Sequence, residues 1–269
     1  MRLNIVGPGR AGMALALRAH AAGHKIVGVV GRDYPQSQAQ RVKSTAFTLG
    51  DALPDADLTV VAVVDDAIGV VAEMLAFGSH EAVVHMSGLK PVSTLSSLSE
   101  AGTAIGAFHP AQTLPDADRG AQRLAGAWVA ITTDDEDLLQ ELHVFARSLG
   151  MKSFDLADEA KPMYHAAAAA AANFTTVALT MASDLFDEAG VSFDAARPLV
   201  EAIVDNAFEL GPRNALTGPV ARGDIETVRT QIEALEDTRW QASFRDFVRA
   251  TAMVAERQSQ FSSLTDGHA

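Results

Sequence analysis

The sequence predicts an α/β fold in which a doubly wound parallel sheet is followed by an all-α domain. Apolar runs typical of buried strands alternate with helical patterns through the first half of the 269-residue chain. From Asp158 onward the periodicity is only helical. A glycine-rich turn joins the first strand to the first helix. We therefore expect two domains, 1–157 and 158–269.

Six apolar runs predict strands in the first domain. They are Leu3–Val6, Lys25–Val30, Leu58–Val64, Ala82–His85, Thr103–Phe108 and Trp128–Thr132, and the helical patterns between them are Arg10–Ala22, Asp66–Ala76 and Asp134–Leu149. The run Leu58–Val64 is continuously apolar, as a strand buried on both faces requires. Strands that alternate with helices in this way predict a parallel sheet.

Helical periodicity predicts four main segments in the second domain. They are about Pro162 to Ala189, Phe193–Leu210, a helix after Asp224, and Thr238–Gln258, with a frayed tail at Ser262–Ala269. The alanine-rich stretch Ala166–Ala182 is too short and too weakly apolar for a membrane span, so it predicts a buried helix. Its smooth surface suits helix packing or a dimer seam.

Composition excludes several classes of function. The formal charge is 21 − 34 = −13, which argues against a broad electrostatic grip on nucleic acid or an anionic membrane. The chain has no cysteine, which excludes disulfides, thiolate metal sites, iron–sulfur clusters and a cysteine nucleophile. No signal peptide or metal-binding pattern is recognisable. We expect a cytoplasmic protein without a metal site.

The glycine turn points to a dinucleotide. Gly7, Pro8, Gly9, Arg10, Ala11 and Gly12 follow an apolar strand and open a helix. In this arrangement a pyrophosphate binds backbone N–H groups at the helix N-terminus. The first glycine permits the turn, the second lets the backbone approach the phosphates, and the third lets the helix pack on the strand.

The residue after the second strand bears on the choice of dinucleotide. An NAD site usually has an acidic side chain there, whereas this chain has Arg32 followed by Asp33. A guanidinium suits the 2′-phosphate of NADP, although a solvated arginine is the simpler explanation and Asp33 favours NAD. The sequence favours NADP. Val63, Val64 and Asp65 are expected along the nicotinamide half, with Asp66 capping the next helix.

Polar residues at strand ends and on the alanine-rich helix are candidates for catalysis. Ser87 belongs to a small, flexible loop that would let a substrate approach the nicotinamide. His109, stiffened by the following proline, is suited to proton transfer, but a turn histidine that caps backbone is equally compatible. His165 and Asn173 face either a ligand, another helix or a buried water.

Three further residues are candidates for binding the substrate. Tyr164 could form an aromatic wall beside His165, and Thr217 and Arg222 lie in a loop shaped by glycines and a proline. Arg222 could bind a carboxylate, and a salt bridge that fixes the loop is as compatible. A Rossmann-like domain followed by a helical domain would leave a ligand cleft between them.

The chain resembles a family of uncharacterised proteins with a Rossmann-like N-terminal domain and a 6-phosphogluconate-dehydrogenase-like helical C-terminal domain. The motifs that carry the resemblance are GPGRAG (7–12), VVDDAI (63–68), HMSG (85–88), FHPAQT (108–113), YHAAAAAAAN (164–173) and ALTGPVARGD (215–224). More distantly it is similar to deazaflavin-dependent NADP reductases, pyrroline-5-carboxylate reductases and prephenate dehydrogenases. The resemblance implies an NADP-type cofactor and a homodimer through the helical domain. Related hydroxyacid dehydrogenases carry a catalytic lysine with an asparagine one helical turn later, whereas here Lys161 is followed by His165.

The leading functional hypothesis is an NADP(H)-dependent oxidoreductase acting on a carbonyl, imine or hydroxy acid between the two domains. His109 or His165 would move the proton, and Ser87 and Asn173 would orient the substrate. Two alternatives remain open. One is a non-catalytic NADP-binding redox sensor or regulatory protein, and the other is a reductase that passes hydride to a flavin or deazaflavin.

Overall fold

The computed structural model describes residues 1–236 and 238–265 and contains one eight-stranded sheet. The strands are β1 (Arg2–Val6), β2 (Lys25–Gly31), β3 (Thr45–Thr48), β4 (Leu58–Val61), β5 (Ala82–His85), β6 (Ala104–Pro110), β7 (Trp128–Thr132) and β8 (Lys152–Asp155). Their order across the sheet is β3-β2-β1-β4-β5-β6-β7-β8. The order reverses between β1 and β4, where open α/β sheets bind ligands outside the carboxyl ends of their strands.

The sheet is mostly parallel, which confirms the predicted fold class with one correction. Strands β1 to β6 pair in parallel, but β6 and β7 run antiparallel, with Phe108 opposite Ile131 and His109 opposite Ala130. The pair β7 and β8 is parallel again. The chain segment between β6 and β7 contains one helix, as a connection between two parallel strands would. The alternation of helices and strands therefore did not reveal that β7 runs antiparallel to β6.

Two strands escaped the sequence analysis because they lie at the edges of the sheet. Strand β3 reads Thr-Ala-Phe-Thr and β8 reads Lys-Ser-Phe-Asp, and most of their residues are only partly buried. An edge strand needs no continuous apolar run, so its sequence signal is weak. Strand β4, in contrast, is shorter than its apolar run, because it ends at Val61.

The helices of the first half cover both faces of the sheet. They are α1 (Arg10–Ala21), α2 (Gln36–Arg41), α3 (Ile68–Leu75), α4 (Ser96–Glu100), α5 (Ala117–Leu124) and α6 (Glu136–Ser148). One apolar core contains residues of α1 and α6, and a second core on the opposite face contains residues of α3 and α4. Alternate strand residues belong to different cores, as Ile5 and Val6 of β1 do.

The second half is helical in the described residues. Its helices are α7 (Lys161–Ala169), α8 (Thr175–Glu188), α9 (Ala196–Leu210), α10 (Pro212–Ala215), α11 (Pro219–Arg222), α12 (Ile225–Glu233), α13 (Gln241–Val254) and α14 (Gln258–Thr265). A π-helical turn, Ala170–Phe174, joins α7 to α8. Pro162 lies in the first turn of α7, where its missing N–H costs nothing, as the sequence predicts.

Two expectations about this half were wrong. The alanine-rich helix is not buried within the chain: 6% of the most apolar 18-residue window of Asp158–Glu188 is buried, and by length and composition that stretch could span a membrane. The tail is not frayed at 262–265, because these residues belong to α14 and the preceding Phe261 is fully buried against Val228 and Val248. Residues 266–269 lie outside the described residues.

The chain divides into two compact units, Met1–Asn173 and Phe174–Ala269. The first unit therefore includes α7, which the sequence analysis placed in the second domain. The second unit has its own small apolar core, formed by Val220, Val228, Ile232, Val248, Ala252 and Phe261.

Candidate functional site

The glycine turn after β1 has the geometry that its sequence predicts. Gly7 has a φ of +95°, and a Cβ there would lie 2.6 Å from the carbonyl oxygen of Ala62. A Cβ on Gly12 would lie 2.2 Å from the carbonyl oxygen of Gly7. Any side chain at either position would therefore disrupt the close contact between the turn, α1 and the end of β4.

The second glycine of the turn faces open space. A Cβ on Gly9 would have nothing within 4 Å, and Gly9 precedes α1, whose start has no side-chain cap and no acidic residue in its first turn. The N–H groups at this helix start are thus available to an anion. A cavity of about 480 Å³ lies here, lined by Gly7, Pro8, Gly9, Gly31, Arg32, Asp33, Tyr34, Pro35, Gln38, Ala62, Val63 and Val64. It brings together six of the predicted cofactor residues.

Arg32 is free to bind a ligand at this cavity. Its side chain is 92% exposed, and its ion pair with the equally exposed Asp33 is long, at 3.6 Å. A surface pair of this kind contributes little, so a phosphate could displace the carboxylate. Of the other predicted cofactor residues, Arg10 is exposed at the start of α1 and Ala11 follows it.

Ser87 fixes its own loop. Its hydroxyl donates to Asp65 Oδ2 at 2.9 Å and accepts the N–H groups of Leu89 and Lys90 at 3.1 and 3.0 Å. Asp65 is thereby joined to the loop after β5. Asp66 was expected to cap the following helix, but it makes no cap and instead pairs with Lys90 at 3.2 Å, because a short 3₁₀ turn precedes α3.

Beneath this loop lies a buried charged network that the sequence analysis did not assign. His85 is fully buried, its Nδ1 accepts the N–H of Ser87 at 3.2 Å, and its Nε2 therefore donates to the carbonyl of Pro91 at 3.3 Å. Burial lowers the pKa of His85 to about 4. Lys161, 2% exposed, binds Asp158 at 2.7 Å and the carbonyl of Lys90 at 2.9 Å.

His109 contacts Tyr164 across the fold. His109 Nδ1 lies 2.9 Å from the phenolic oxygen of Tyr164, and the two rings meet edge to face with centroids 5.5 Å apart. The ring of His165 lies 6.3 Å from that of His109. On another side, a Cβ on Gly88 would lie 2.6 Å from Cε1 of His109, so only glycine leaves room for the imidazole.

The environment of His109 keeps its ring neutral. Burial, followed by the neighbouring imidazole of His165, lowers the pKa of His109 to about 4, although Asp65 acts in the opposite direction. Burial also raises the pKa of Tyr164. At neutral pH the pair is therefore a neutral imidazole hydrogen-bonded to a neutral phenol, and one ring nitrogen of His109 is not used by Tyr164.

A cavity of about 470 Å³ adjoins His109. It is lined by His109, Pro110, Ala111, Gln112, Thr113, His165, Ala168, Ala169, Ala171, Ala172 and Asn173. The π-helical turn Ala170–Phe174 supplies three of these residues, and single π turns inside helices are frequent at functional sites. The structure thus brings together three of the predicted catalytic residues, His109, His165 and Asn173.

The other predicted site residues are placed as follows. Tyr164 lies behind His109, and Ser87 is used within its loop. Thr217 and Arg222 are exposed in the second compact unit, where Arg257 Nε binds the carbonyl of Ala221 at 2.9 Å. Asp224 caps α12 by accepting the N–H of Thr227. The substrate-binding roles of Thr217 and Arg222 stay predictions.

Sequence reasoning missed Asp158 and Arg123, and it assigned Gly88 to a flexible loop rather than to the space beside His109. The i,i+3 spacing of Asp158 and Lys161 was a usable signal for the buried pair. Gly88 and Arg123 act through contacts with His109 and Thr113 that arise only from the tertiary fold.

Two family models match successive parts of the chain. Residues 1–110 match the model of a Rossmann-like domain, and residues 127–251 match that of a domain of unknown function, DUF2520. No curated protein matches the chain.

Solved structures share the fold over nearly the whole chain. A Bacteroides fragilis protein provisionally assigned as an NADP oxidoreductase is 25% identical, with a TM-score of 0.80 over 94% of this chain and 98% of its own. A Thermotoga maritima protein is 22% identical, with a TM-score of 0.72 over 96% of this chain and 99% of its own. An imine reductase from Streptomyces aurantiacus is 16% identical, with a TM-score of 0.63 over 98% of this chain and 99% of its own. The chain therefore belongs to the proteins that join a Rossmann-like domain to a DUF2520 domain, the family that its motifs resemble.

Proposed function

We propose that this protein is an NADP(H)-dependent oxidoreductase that acts on a small carbonyl, imine or hydroxy compound at the cavity beside His109. The observation that carries the proposal is the cavity at the glycine turn. It combines an uncapped helix start, an unobstructed Gly9 and a free guanidinium. The likeness to a solved protein assigned as an NADP oxidoreductase supports the same function.

The residues at the glycine turn fit the dinucleotide. The N–H groups at the start of α1 would bind the pyrophosphate, and Arg32 would bind the 2′-phosphate by charge-assisted hydrogen bonds. Val63 and Val64 would lie along the cofactor. When bound, the cofactor supplies or accepts hydride at its nicotinamide ring.

His109 is the proton carrier in this proposal. When a substrate alcohol loses hydride from its carbon, the hydroxyl proton goes to the ring nitrogen of His109 that Tyr164 leaves free. In the reverse direction the same nitrogen returns the proton to the carbonyl oxygen. The low pKa of His109 keeps it in the neutral form that can accept. Tyr164 fixes the orientation of the ring, and Asn173 is placed to orient the substrate.

The cofactor assignment is tested by titrating the protein with NADPH and NADH while following nicotinamide fluorescence. We expect tighter binding of NADPH, and we expect Arg32→Gln to weaken NADPH binding by about 10-fold or more while leaving NADH binding nearly unchanged. Arg41→Gln, which removes a guanidinium paired with Asp118, is the control. Equal affinity for both nucleotides, or a preference for NADH, would contradict the proposal.

We further propose that the protein works as a cytoplasmic homodimer. Helix α9 is 15 residues long but buries only Ala196, while Leu199 and Ile203, one turn apart on the same face, are exposed, and Phe208 on another face is 89% exposed. An exposed apolar face of a helix is normally packed against another element. A second copy of the chain would cover this face. Light scattering in detergent-free buffer should give twice the chain mass, and Leu199→Glu should give the monomer.

A further inference from the structure

The cavity beside His109 carries no acidic side chain. Among the described residues that line it, the polar ones are His109, Gln112, Thr113, His165 and Asn173, and the others are Pro110 and alanines. The whole chain has 34 acidic residues against 21 basic ones. A cavity without Asp or Glu in such a chain is unsuited to a cation, which would need a carboxylate partner.

An arginine is hydrogen-bonded to one of the residues that line this cavity. Arg123, in α5, donates from a guanidinium nitrogen to the hydroxyl oxygen of Thr113 at 3.2 Å, and Thr113 lines the cavity. Thr113 is fixed in turn, because its N–H donates to the side-chain oxygen of Gln112 at 2.8 Å. The guanidinium is therefore held beside the cavity by a short chain of hydrogen bonds.

Arg123 also lacks a carboxylate partner, unlike its neighbours. Arg119, one turn earlier on α5, pairs with Asp116 at 3.7 Å, and Arg41 pairs with Asp118 at 2.5 Å. Within the described part of the chain, no carboxylate lies in ion-pair distance of Arg123. The planar fork of a guanidinium can bind a carboxylate bidentately, and within the described part of the chain one nitrogen of Arg123 donates to Thr113.

We infer that the cavity takes a small carboxylate, an oxo acid or the corresponding hydroxy acid, and that Arg123 binds its carboxylate group. This inference rests on the proposed function, since it names the substrate class of the same site. One guanidinium and neutral hydrogen-bond donors match a single negative charge, whereas a phosphate ester would call for more cations. The sequence analysis nominated Arg222 for this role and did not assign Arg123.

The test compares acids with their esters in three variants. Purified protein with saturating NADPH is offered 2-oxobutanoate and 2-oxo-4-phenylbutanoate and the methyl ester of each, and NADPH oxidation is followed. We expect Arg123→Gln to lower kcat/KM for acids by about 10- to 100-fold, mainly through KM, and to leave the esters nearly unchanged. Arg123→Lys should retain part of the activity. Arg119→Gln, which removes the paired arginine of the same helix, should behave as the unmodified protein.

Calorimetric titration separates the two proposals, because binding needs no turnover. The inference is supported if an oxo acid binds to the complex of the protein with NADPH, if Arg123→Gln abolishes this binding, and if Arg119→Gln retains it. This holds even if NADPH is not oxidised. Binding of NADPH with no binding of any oxo acid overturns the inference and leaves the cofactor proposal standing. Equal binding of acid and ester, or equal effects of the two arginine variants, also overturns it. Failure to bind NADPH overturns the proposed function itself.

Discussion

The Nδ1 atom of His109 lies 2.9 Å from the phenolic oxygen of Tyr164, although 55 residues separate them in the chain. His109 lies near the end of β6, where this strand pairs antiparallel with β7, and Tyr164 lies in the first turns of α7. Gly88 leaves the space that the imidazole occupies. The contact therefore joins three segments, the loop after β5, the end of β6 and helix α7, at the edge of one cavity.

Removal of the phenolic hydroxyl should lower turnover without affecting cofactor binding. In Tyr164→Phe the ring of His109 loses the bond that orients it, so we expect kcat to fall by about 10- to 100-fold, with NADPH affinity within about twofold. His109→Gln should lower kcat further, by about 100- to 10,000-fold.

Steady-state kinetics and NADPH titration measure both effects, with His20→Gln on α1 as the control variant. For oxidation, kcat/KM should be flat from about pH 6 to 8 and fall only as the pH approaches the His109 pKa of about 4. A tyrosine variant with full turnover, or one that loses NADPH affinity in step with turnover, would refute the orienting role.

The buried His85 should make the protein sensitive to mild acid. Its folded-state pKa is about 4, below the value of 6.5 for an exposed histidine, so the unfolded chain binds the additional proton first. The stabilisation is complete above about pH 6.5 and is lost as the pH falls toward 4. At pH 5 the loss from this residue amounts to about 2 kcal/mol of the free energy of unfolding.

Denaturant unfolding at pH 7.5 and pH 5, with and without His85→Gln, isolates this contribution. The variant should be less stable at pH 7.5, because the bonds to Ser87 and Pro91 are gone, but it should lose less stability between the two pH values. An equal loss in both proteins would show that His85 is not the group that titrates.

The sequence predicted the parts of the site that depend on local geometry. The glycine turn needs Gly7 and Gly12 because backbone atoms lie within 3 Å of their missing Cβ atoms, and this requirement follows from the strand–turn–helix pattern alone. The alternation of strands and helices predicted the sheet in the same way. Edge strands β3 and β8 were missed because half-exposed strands need no apolar pattern.

Contacts distant in sequence were beyond prediction from one chain. His109 and Tyr164 were each nominated, but nothing in their spacing shows that they are hydrogen-bonded. Ser87 was interpreted as a substrate contact, whereas its hydroxyl already makes three hydrogen bonds, two within its loop and one to Asp65. The alanine-rich helix is exposed in this chain but was interpreted as buried. Its apolar composition would be the same whether residues of its own chain or those of another chain cover it.

Gly9 and Gly12 should respond differently to the same substitution. Gly12→Ala places a methyl group 2.2 Å from the carbonyl of Gly7, so we expect destabilisation by about 2 kcal/mol or more. Gly9→Ala adds its methyl group where no atom lies within 4 Å and where φ is −79°, so the fold should be nearly unaffected.

The methyl group of Gly9→Ala would instead occupy the space that we assign to the pyrophosphate. NADPH affinity should therefore fall by about 10-fold or more. Thermal unfolding and fluorescence titration of both variants give the comparison. Unchanged NADPH affinity in a folded Gly9→Ala protein would exclude close approach of the dinucleotide at this turn.

Lys161 should act through stability rather than proton transfer. Its ammonium group is buried and already bonded to Asp158 and to the carbonyl of Lys90, and burial lowers its pKa. Lys161→Met should destabilise the protein by about 3 kcal/mol, because Asp158 loses its charge partner. Lys90→Met, which removes the partly exposed pair with Asp66, should cost about 1 kcal/mol or less.

A double-mutant cycle with Asp158→Asn separates the two roles of Lys161. Because Asp158 also accepts the N–H of Val92, the neutral amide should recover part of the stability that Lys161→Met loses. Activity per folded molecule, measured well below the unfolding temperature, should recover with it. A Lys161→Met protein of unchanged stability that has lost its activity would instead make this lysine a catalytic group, as in the related hydroxyacid dehydrogenases.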